Sequence, residues 1–211
     1  MSAIGPDAVR QALRRAADAL DREAGNLAEL DRAIGDGDLG ITAEKMAVAL
    51  RRHADTEVGD DLGRYLVAGG MAVNREAPST FGTLAATAMM RAGKVASGRD
   101  RLEPATLAQM LEAAQTGIEE RGKAQLGDKT VLDALHPAAQ AFGREIEAGR
   151  DLPAASRAML DAARQGMNDV TNSRSRRGRA GWIGERTEGE VDPGCHLLVA
   201  VFDAWVSTPR D

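Results

Sequence analysis

The chain has 211 residues, a net charge of −5, one cysteine and only 3% aromatic residues. The acidic balance argues against a general nucleic-acid-binding protein, because such proteins usually carry a basic face, and a single cysteine excludes an internal disulfide. Residues 1–7 lack the basic segment and apolar run of a signal peptide, and no stretch approaches the roughly 20 apolar residues of a membrane-spanning helix, so we expect a soluble cytoplasmic protein with no nucleic-acid or membrane partner.

The composition and the periodicity of apolar residues both predict an all-α protein. Alanine and leucine, which favour helices, are abundant, and no convincing alternating strand pattern is present. Apolar residues recur at helical spacing in eight segments, at about residues 9–20, 41–52, 60–73, 81–92, 107–118, 131–146, 159–170 and 197–205. Helices of this length joined by short links favour an antiparallel bundle. We expect one domain over residues 1–211.

The first polar interruption holds Asp31, Asp36 and Asp38 close together, around a Gly-Asp-Gly-Asp turn. Carboxylates this close repel one another unless a cation lies between them, and Mg²⁺ prefers such oxygen ligands and bridges them to substrate phosphates. A solvated surface turn is the alternative interpretation. An EF-hand is excluded, because Ala47 would stand where that loop needs its last acidic ligand.

The second polar interruption, residues 77–83, leads into the fourth predicted helix. Ser79 or Thr80 is placed to cap that helix. The free amides and hydroxyl groups of such a helix start can also bind an anion. A plain N-cap without a ligand is the alternative.

The third polar interruption, residues 127–130, reads Gly-Asp-Lys-Thr and resembles the end of a P-loop. Asp128 separates Gly127 from Lys129, and no strand leads into the segment, so we reject a P-loop NTPase. As a plain structural role, Asp128 is predicted to cap the sixth helix.

Residues 172–194 have no helical pattern and are rich in Gly, Arg, Ser and Glu. A loop this long in a compact domain is usually functional or disordered; Trp182 and Ile183 predict docking onto the rest of the chain. Its arginines suit a phosphate ligand, although we expect at least half of them to be solvated. Asp192, in an Asp-Pro-Gly turn, is either a cap of the last helix or a ligand contact.

Five motifs, in this order, resemble the L subunit of dihydroxyacetone kinase, the DhaL-like nucleotide-binding family: residues 34–38, 81–83, 127–135, 178–186 and 192–194. The resemblance implies an eight-helix antiparallel barrel that holds a nucleotide at one end. It implies that Asp31, Asp36 and Asp38 hold two Mg²⁺ ions that bridge the nucleotide phosphates. It further implies that the nucleotide is contacted by Ser79, Thr80, Gly82, Thr83, Gly127, Arg179 and Asp192.

The same resemblance implies a phosphotransferase subunit that binds ADP or ATP with Mg²⁺. The phosphoryl group would pass to dihydroxyacetone, or a similar ketose, held on a separate K-type subunit; the donor is either ATP or a phosphotransferase-system protein. A catalytically inactive nucleotide-binding regulatory or scaffold module is the alternative. Two features depart from the family pattern: Leu39 stands where the kinase subunits usually have a histidine, and residues 75–80 replace a Gly/Ser-rich run.

Overall fold

The regular structure of the protein is helical. A computed structural model describes residues 3–178 and 180–207. Within these residues the α-helices are α1 (Pro6–Ile34), α2 (Leu39–Ala54), α3 (Leu62–Glu76), α4 (Thr80–Val95), α5 (Pro104–Gly122), α6 (Val131–Glu147), α7 (Leu152–Thr171), α8 (Ala180–Ile183) and α9 (Pro193–Val206). A 3₁₀ turn, Gly184–Thr187, follows α8. The eight predicted helical segments correspond to α1–α7 and α9, so the all-α prediction is confirmed.

The eight long helices close into a ring. Each of α1–α7 packs against the helix that follows it, with α9 in the place after α7, and α9 packs against α1 to complete the circuit. The Trp205 indole donates to the Ala12 carbonyl at 3.0 Å, whereas His196 lies 2.9 Å from the Glu23 carboxylate, so α9 runs antiparallel to α1. The predicted antiparallel bundle is therefore confirmed as a closed barrel.

Side-chain caps define where most of these helices begin. Ser79, Asp151 and Asp192 each accept a hydrogen bond from a backbone amide in the first turn of α4, α7 and α9. Asp61 does the same for α3. Each cap satisfies an amide that the helix itself leaves without a partner. The predicted caps at Ser79 and Asp192 are confirmed.

Small residues fill much of the interior and allow the helices to approach closely. Many core positions are alanines, and two groups of buried side chains, one mainly on α1–α4 and one mainly on α6, α7 and α9, are joined by residues that pack against both, namely Ile4, Phe81, Leu107 and Trp205. Among the described residues, no helix is both long and apolar enough to cross a membrane.

The α6–α7 crossing depends on the missing side chain of Gly166. A Cβ atom at this position would lie 2.0 Å from the Asp133 carbonyl oxygen and 2.8 Å from Pro137 Cγ. Because the nearest obstacle is helix backbone, it cannot be relieved by a change of rotamer.

We predict that Gly166→Ala lowers the free energy of unfolding by at least about 2 kcal/mol, because the two helices must separate to admit the methyl group. Gly143→Ala is the matched control: this glycine lies inside α6, and nothing lies within 4 Å of its added Cβ. The control should stabilise the protein by up to about 1 kcal/mol, as expected for glycine to alanine in a helix. Urea denaturation measures both values, and equal effects of the two substitutions would contradict the close crossing.

Candidate functional site

Three carboxylates meet where α1 ends and α2 begins. Asp31, Asp36 and Asp38 each offer an oxygen atom, and these atoms all lie within 4.8 Å of one another. Asp31 is partly buried and accepts a hydrogen bond from the Leu39 amide at 3.1 Å, whereas Asp36 and Asp38 are exposed. A Cβ on Gly35 would lie 2.5 Å from Asp31 Oδ1, so the glycine leaves room for this carboxylate. The set fits a hard divalent cation, because its donors are oxygens and their charges repel one another.

The start of α4 lies beside the first turn of α2. Ser79 Oγ accepts a hydrogen bond from the Gly82 amide at 3.0 Å and another from Thr42 Oγ1 at 3.1 Å. Thr42 is itself one helical turn from Asp38, whose carbonyl accepts its amide at 3.0 Å. One serine hydroxyl therefore caps α4 and also joins it to the helix that follows the carboxylates.

The first turn of α4 keeps amides available for a ligand. Among the described residues, the Thr80 and Phe81 amides have no hydrogen-bond acceptor. Gly82 is required by packing, since a Cβ there would lie 2.1 Å from the Ala77 carbonyl oxygen. Free amides at a helix N-terminus favour an anion. Of the four residues predicted here, Thr80 and Thr83 have side chains that are not committed to the cap.

The start of α6 is organised by Asp133. Its Oδ2 accepts from the Thr130 amide at 2.8 Å, its Oδ1 accepts from the Gly127 amide at 2.6 Å, and the Thr130 side chain accepts from the Leu132 amide at 3.3 Å. This is a capping box with Thr130 as the N-cap. The prediction that Asp128 caps this helix is wrong. Gly127 keeps a positive φ of 84° and open space above its Cα, although its amide is already donated.

Asp128 instead joins the α6 start to the segment that follows α7. Its Oδ2 accepts from Arg177 Nε at 2.8 Å and from the Gln125 amide at 2.9 Å, and its carbonyl accepts from the Arg176 amide at 3.0 Å. The hydrogen bond from the Arg177 guanidinium holds the pKa of Asp128 below its usual value. Asp128 therefore remains a charged anchor for two of the arginines.

Asp192 is buried at the start of α9. It accepts from the Cys195 amide at 2.7 Å, and Cys195 Sγ donates to the Thr130 carbonyl at 3.0 Å. A Cβ on Gly194 would lie 3.0 Å from a ring carbon of Phe81. The starts of α4, α6 and α9 therefore touch one another. Burial raises the pKa of Asp192 to about 6, and the nearby Asp133 carboxylate adds to that rise.

The segment between α7 and α9 is tied down by polar contacts. Arg174 pairs with Glu185 at 2.8 Å and with Glu188 at 3.2 Å, and the Thr187 hydroxyl accepts from the Ser175 amide at 2.9 Å. Trp182 is 89% exposed, so the prediction that it docks onto the body of the protein is wrong. Two helical turns, α8 and the 3₁₀ turn, also occur where no helical pattern was found.

Nearly all the predicted site residues lie at one end of the barrel, the end where α1 finishes and α2, α4, α6 and α9 begin. The described ones sit at the end of α1 or at the starts of α2, α4, α6 and α9; the predicted residue Arg179 lies outside the described residues. The partial positive charge of four helix starts favours a polyanion beside the three carboxylates. Two buried residues that the sequence interpretation did not select, Lys129 and Asp133, hold this end together.

Comparison with protein families gives a match to the DAK2 domain over residues 33–207. The PEP-dependent dihydroxyacetone kinase 1, ADP-binding subunit DhaL, of Listeria innocua is 31% identical over 182 residues, which cover 86% of each chain. The corresponding Escherichia coli subunit is 30% identical, covering 86% of this chain and 87% of its own. The L-erythrulose kinase of Pectobacterium atrosepticum is 30% identical over 93% of this chain, which spans only 34% of that enzyme.

Solved structures share the fold. The native dihydroxyacetone kinase of C. freundii superposes with a TM-score of 0.74 at 23% identity, covering 98% of this chain and 36% of that one. The same kinase in complex with AMP-PNP and Mg²⁺ gives a TM-score of 0.71 over 95% of this chain. At 23% identity, the likeness shows that this chain and the solved kinase share the eight-helix architecture.

The raised pKa of Asp192 predicts a pH dependence of stability. Because the folded-state pKa, about 6, exceeds the ordinary value of 3.8, the stability from this group is fully present below about pH 3.8 and is lost as pH rises through about 6. Asp192→Asn keeps a good N-cap and removes the titration. We expect the stability of the variant, relative to the unmodified protein, to rise over that interval. Urea denaturation in steps from pH 4 to pH 7.5 measures it, and parallel profiles would contradict the assignment.

Proposed function

The chain belongs to the DAK2 domain family, and on that premise we propose that it is the nucleotide-binding phosphotransferase subunit of a kinase for dihydroxyacetone or a related short ketose. Support comes from relatives that are named as ADP-binding subunits of dihydroxyacetone kinase and as an erythrulose kinase. The single observation that carries the proposal is the cluster of Asp31, Asp36 and Asp38 at the barrel end where α2, α4, α6 and α9 begin.

The carboxylate cluster is the proposed magnesium site. Two Mg²⁺ ions would be held by Asp31, Asp36 and Asp38, and when bound they would supply positive charge that offsets the charge of the transferred phosphoryl group. The protein contributes the positions of the carboxylates. The Leu39 amide fixes the orientation of Asp31 through a hydrogen bond of 3.1 Å, and Gly35 leaves space for that side chain.

The start of α4 is the proposed site for the nucleotide phosphates. ADP or ATP carries its negative charge on these phosphates, and the free amides of Thr80 and Phe81 offer donors for it. The hydroxyls of Thr80 and Thr83 can add to these donors, whereas Ser79 and Gly82 act by shaping the turn. We assign Gly127, Arg179 and Asp192 to the remainder of the nucleotide pocket.

The ketose and the phosphoryl donor are assigned through the family. We propose that the ketose is held on a separate K-type subunit, since the relatives that match along most of their length are themselves subunits. The donor is ATP, or a phosphotransferase-system protein that phosphorylates ADP while it stays bound. In both versions the residues of this chain orient the phosphates and the metal rather than attack the substrate.

We predict that Asp36→Asn and Asp38→Asn each abolish Mg²⁺-dependent ADP binding, because each removes a charged metal ligand at the centre of the site. Calorimetric titration of ADP, with and without Mg²⁺, measures the loss. Asp100→Asn, an exposed aspartate between α4 and α5 at the other end of the barrel, is the control and should bind as the unmodified protein does.

The helical fold of both site variants should be intact by circular dichroism. Removal of one of three repelling carboxylates should leave the metal-free protein at least as stable as before. ADP affinity that is unchanged in both variants would refute the metal assignment.

A second candidate is a nucleotide-binding regulatory module without chemistry of its own. One observation favours it: Leu39 is buried and offers only its backbone amide to Asp31, at the position where the family resemblance expects a histidine. A leucine side chain, unlike that of histidine, can neither donate nor accept a proton during phosphoryl transfer.

A reconstituted assay separates the two candidates. The chain is mixed with a K-type subunit and a panel that includes dihydroxyacetone and the erythruloses, once with Mg²⁺-ATP and once with Mg²⁺-ADP and a phosphorylated phosphotransferase-system protein, and phosphorylated ketose is measured by mass spectrometry. We expect product with at least one ketose; its absence from the whole panel, with ADP still bound, would favour the regulatory module. Release of labelled ADP during turnover identifies ATP as the donor, whereas retention of the label identifies a phosphotransferase-system protein.

A further inference from the structure

Lys129 is a buried cation in an unusual backbone conformation. Only 2% of its surface is exposed, and its φ is 61°, in the left-handed region that residues other than glycine rarely adopt. Its ammonium group donates to the carbonyl oxygens of Thr171 at 2.7 Å and Ser173 at 3.0 Å, and to that of Thr187. All its hydrogen-bond acceptors among the described residues are therefore backbone carbonyls.

These acceptors lie on both sides of the segment that follows α7. Thr171 and Ser173 mark the end of α7, and Thr187 ends the 3₁₀ turn. Two further contacts close the same loop: the Gly189 amide donates to the Thr171 carbonyl at 3.0 Å, and the Ser175 amide donates to the Thr187 hydroxyl at 2.9 Å. The Lys129 ammonium group thus forms hydrogen bonds at both ends of the 172–190 segment.

The physical requirement for a cation here is strong. The last carbonyls of α7 have no helical partner and carry the negative end of the helix dipole. In a buried setting, each carbonyl that loses its donor costs stability. Burial lowers the pKa of Lys129, whereas the carboxylates of Asp192, Glu190 and Glu188 favour its charged form. An apolar side chain of the same length would remove a charged donor from all three carbonyls. The Thr171 and Thr187 carbonyls would keep only the Gly189 and Glu190 amides, at 3.0 Å and 3.3 Å, and the Ser173 carbonyl would have no donor among the described residues.

The same short stretch also contacts the proposed nucleotide site. Asp128 binds Arg177 through its carboxylate and Arg176 through its carbonyl, and Gly127 precedes it. Lys129 therefore holds the 172–190 segment near both of its ends, while Asp128 holds Arg176 and Arg177 of that segment beside the start of α6. We propose that Lys129 is a positioning residue that holds the 172–190 segment in the arrangement that binds the nucleotide. This inference rests on the proposed function.

Hydrogen exchange and ADP titration test it together. In Lys129→Met we expect the amides of residues 172–190 to exchange at least roughly tenfold faster while those of α1–α5 are unchanged, and Mg²⁺-ADP to bind roughly tenfold to a hundredfold more weakly, the effect of losing a charge-assisted hydrogen bond. Lys129→Arg retains cationic donors and should recover part of both losses.

A matched core variant separates positioning from general destabilisation. Leu62, fully buried at the start of α3 at the opposite end of the barrel, is replaced by alanine. Leu62→Ala should lower global stability without changing the exchange of residues 172–190 or the ADP affinity. If Lys129→Met does not fold, Lys129→Gln serves instead, since its uncharged amide group has only two N–H donors for the three carbonyls. It should have the same two effects at smaller size.

The other possible results of the exchange and ADP-binding measurements also decide whether Lys129 is a positioning residue. Unchanged exchange in the 172–190 segment, or unchanged ADP affinity, in a folded Lys129→Met overturns the positioning role. If Lys129→Gln is used instead, the same two results overturn it. If the unmodified protein binds no Mg²⁺-ADP, the proposed function fails and the nucleotide half of the inference fails with it. The exchange measurement needs no nucleotide, so it still shows whether Lys129 holds the segment.

Discussion

A closed ring with an even number of antiparallel helices must start every second helix at the same end. In this barrel the helices that begin together are α2, α4, α6 and α9, and α1 delivers Asp31 to the same place. The amides and the partial positive charge of four helix starts therefore collect at one end, in addition to the basic side chains that lie there. Three carboxylates lie at that end, and in the function proposed above this arrangement receives a cation and a polyphosphate. The topology therefore explains why the proposed ligands would meet at one end of the barrel.

Most of the architecture could be read from local patterns. Helical periodicity locates all eight long helices, because apolar residues recur along each of them at the spacing of a helical face. Ser79 and Asp192 were recognisable as caps, since capping needs only a short polar side chain ahead of an apolar run. The carboxylate cluster was equally visible, because Asp36 and Asp38 are near neighbours in the chain and their proximity needs no tertiary information.

The parts that could not be predicted depend on contacts between distant segments. The sequence predicts that Asp128 caps α6, but its carboxylate binds Arg177 in the segment that follows α7, and Thr130 caps the helix together with Asp133. Trp182 was expected to dock because it is large and apolar, yet the segment is held by Lys129 and other polar groups. A buried lysine that donates to three backbone carbonyls has no sequence signature, since every residue possesses such an acceptor.

The two tryptophans occupy opposite environments at opposite ends of the barrel. Trp205 packs against both halves of the core and donates its indole N–H to the Ala12 carbonyl, whereas Trp182, in the segment between α7 and α9, is exposed to solvent. Indole fluorescence shifts to longer wavelength in water, so Trp182 should emit at longer wavelength than Trp205. The two indoles therefore report optically on different parts of the molecule, Trp182 on the segment between α7 and α9 and Trp205 on the packing of the core.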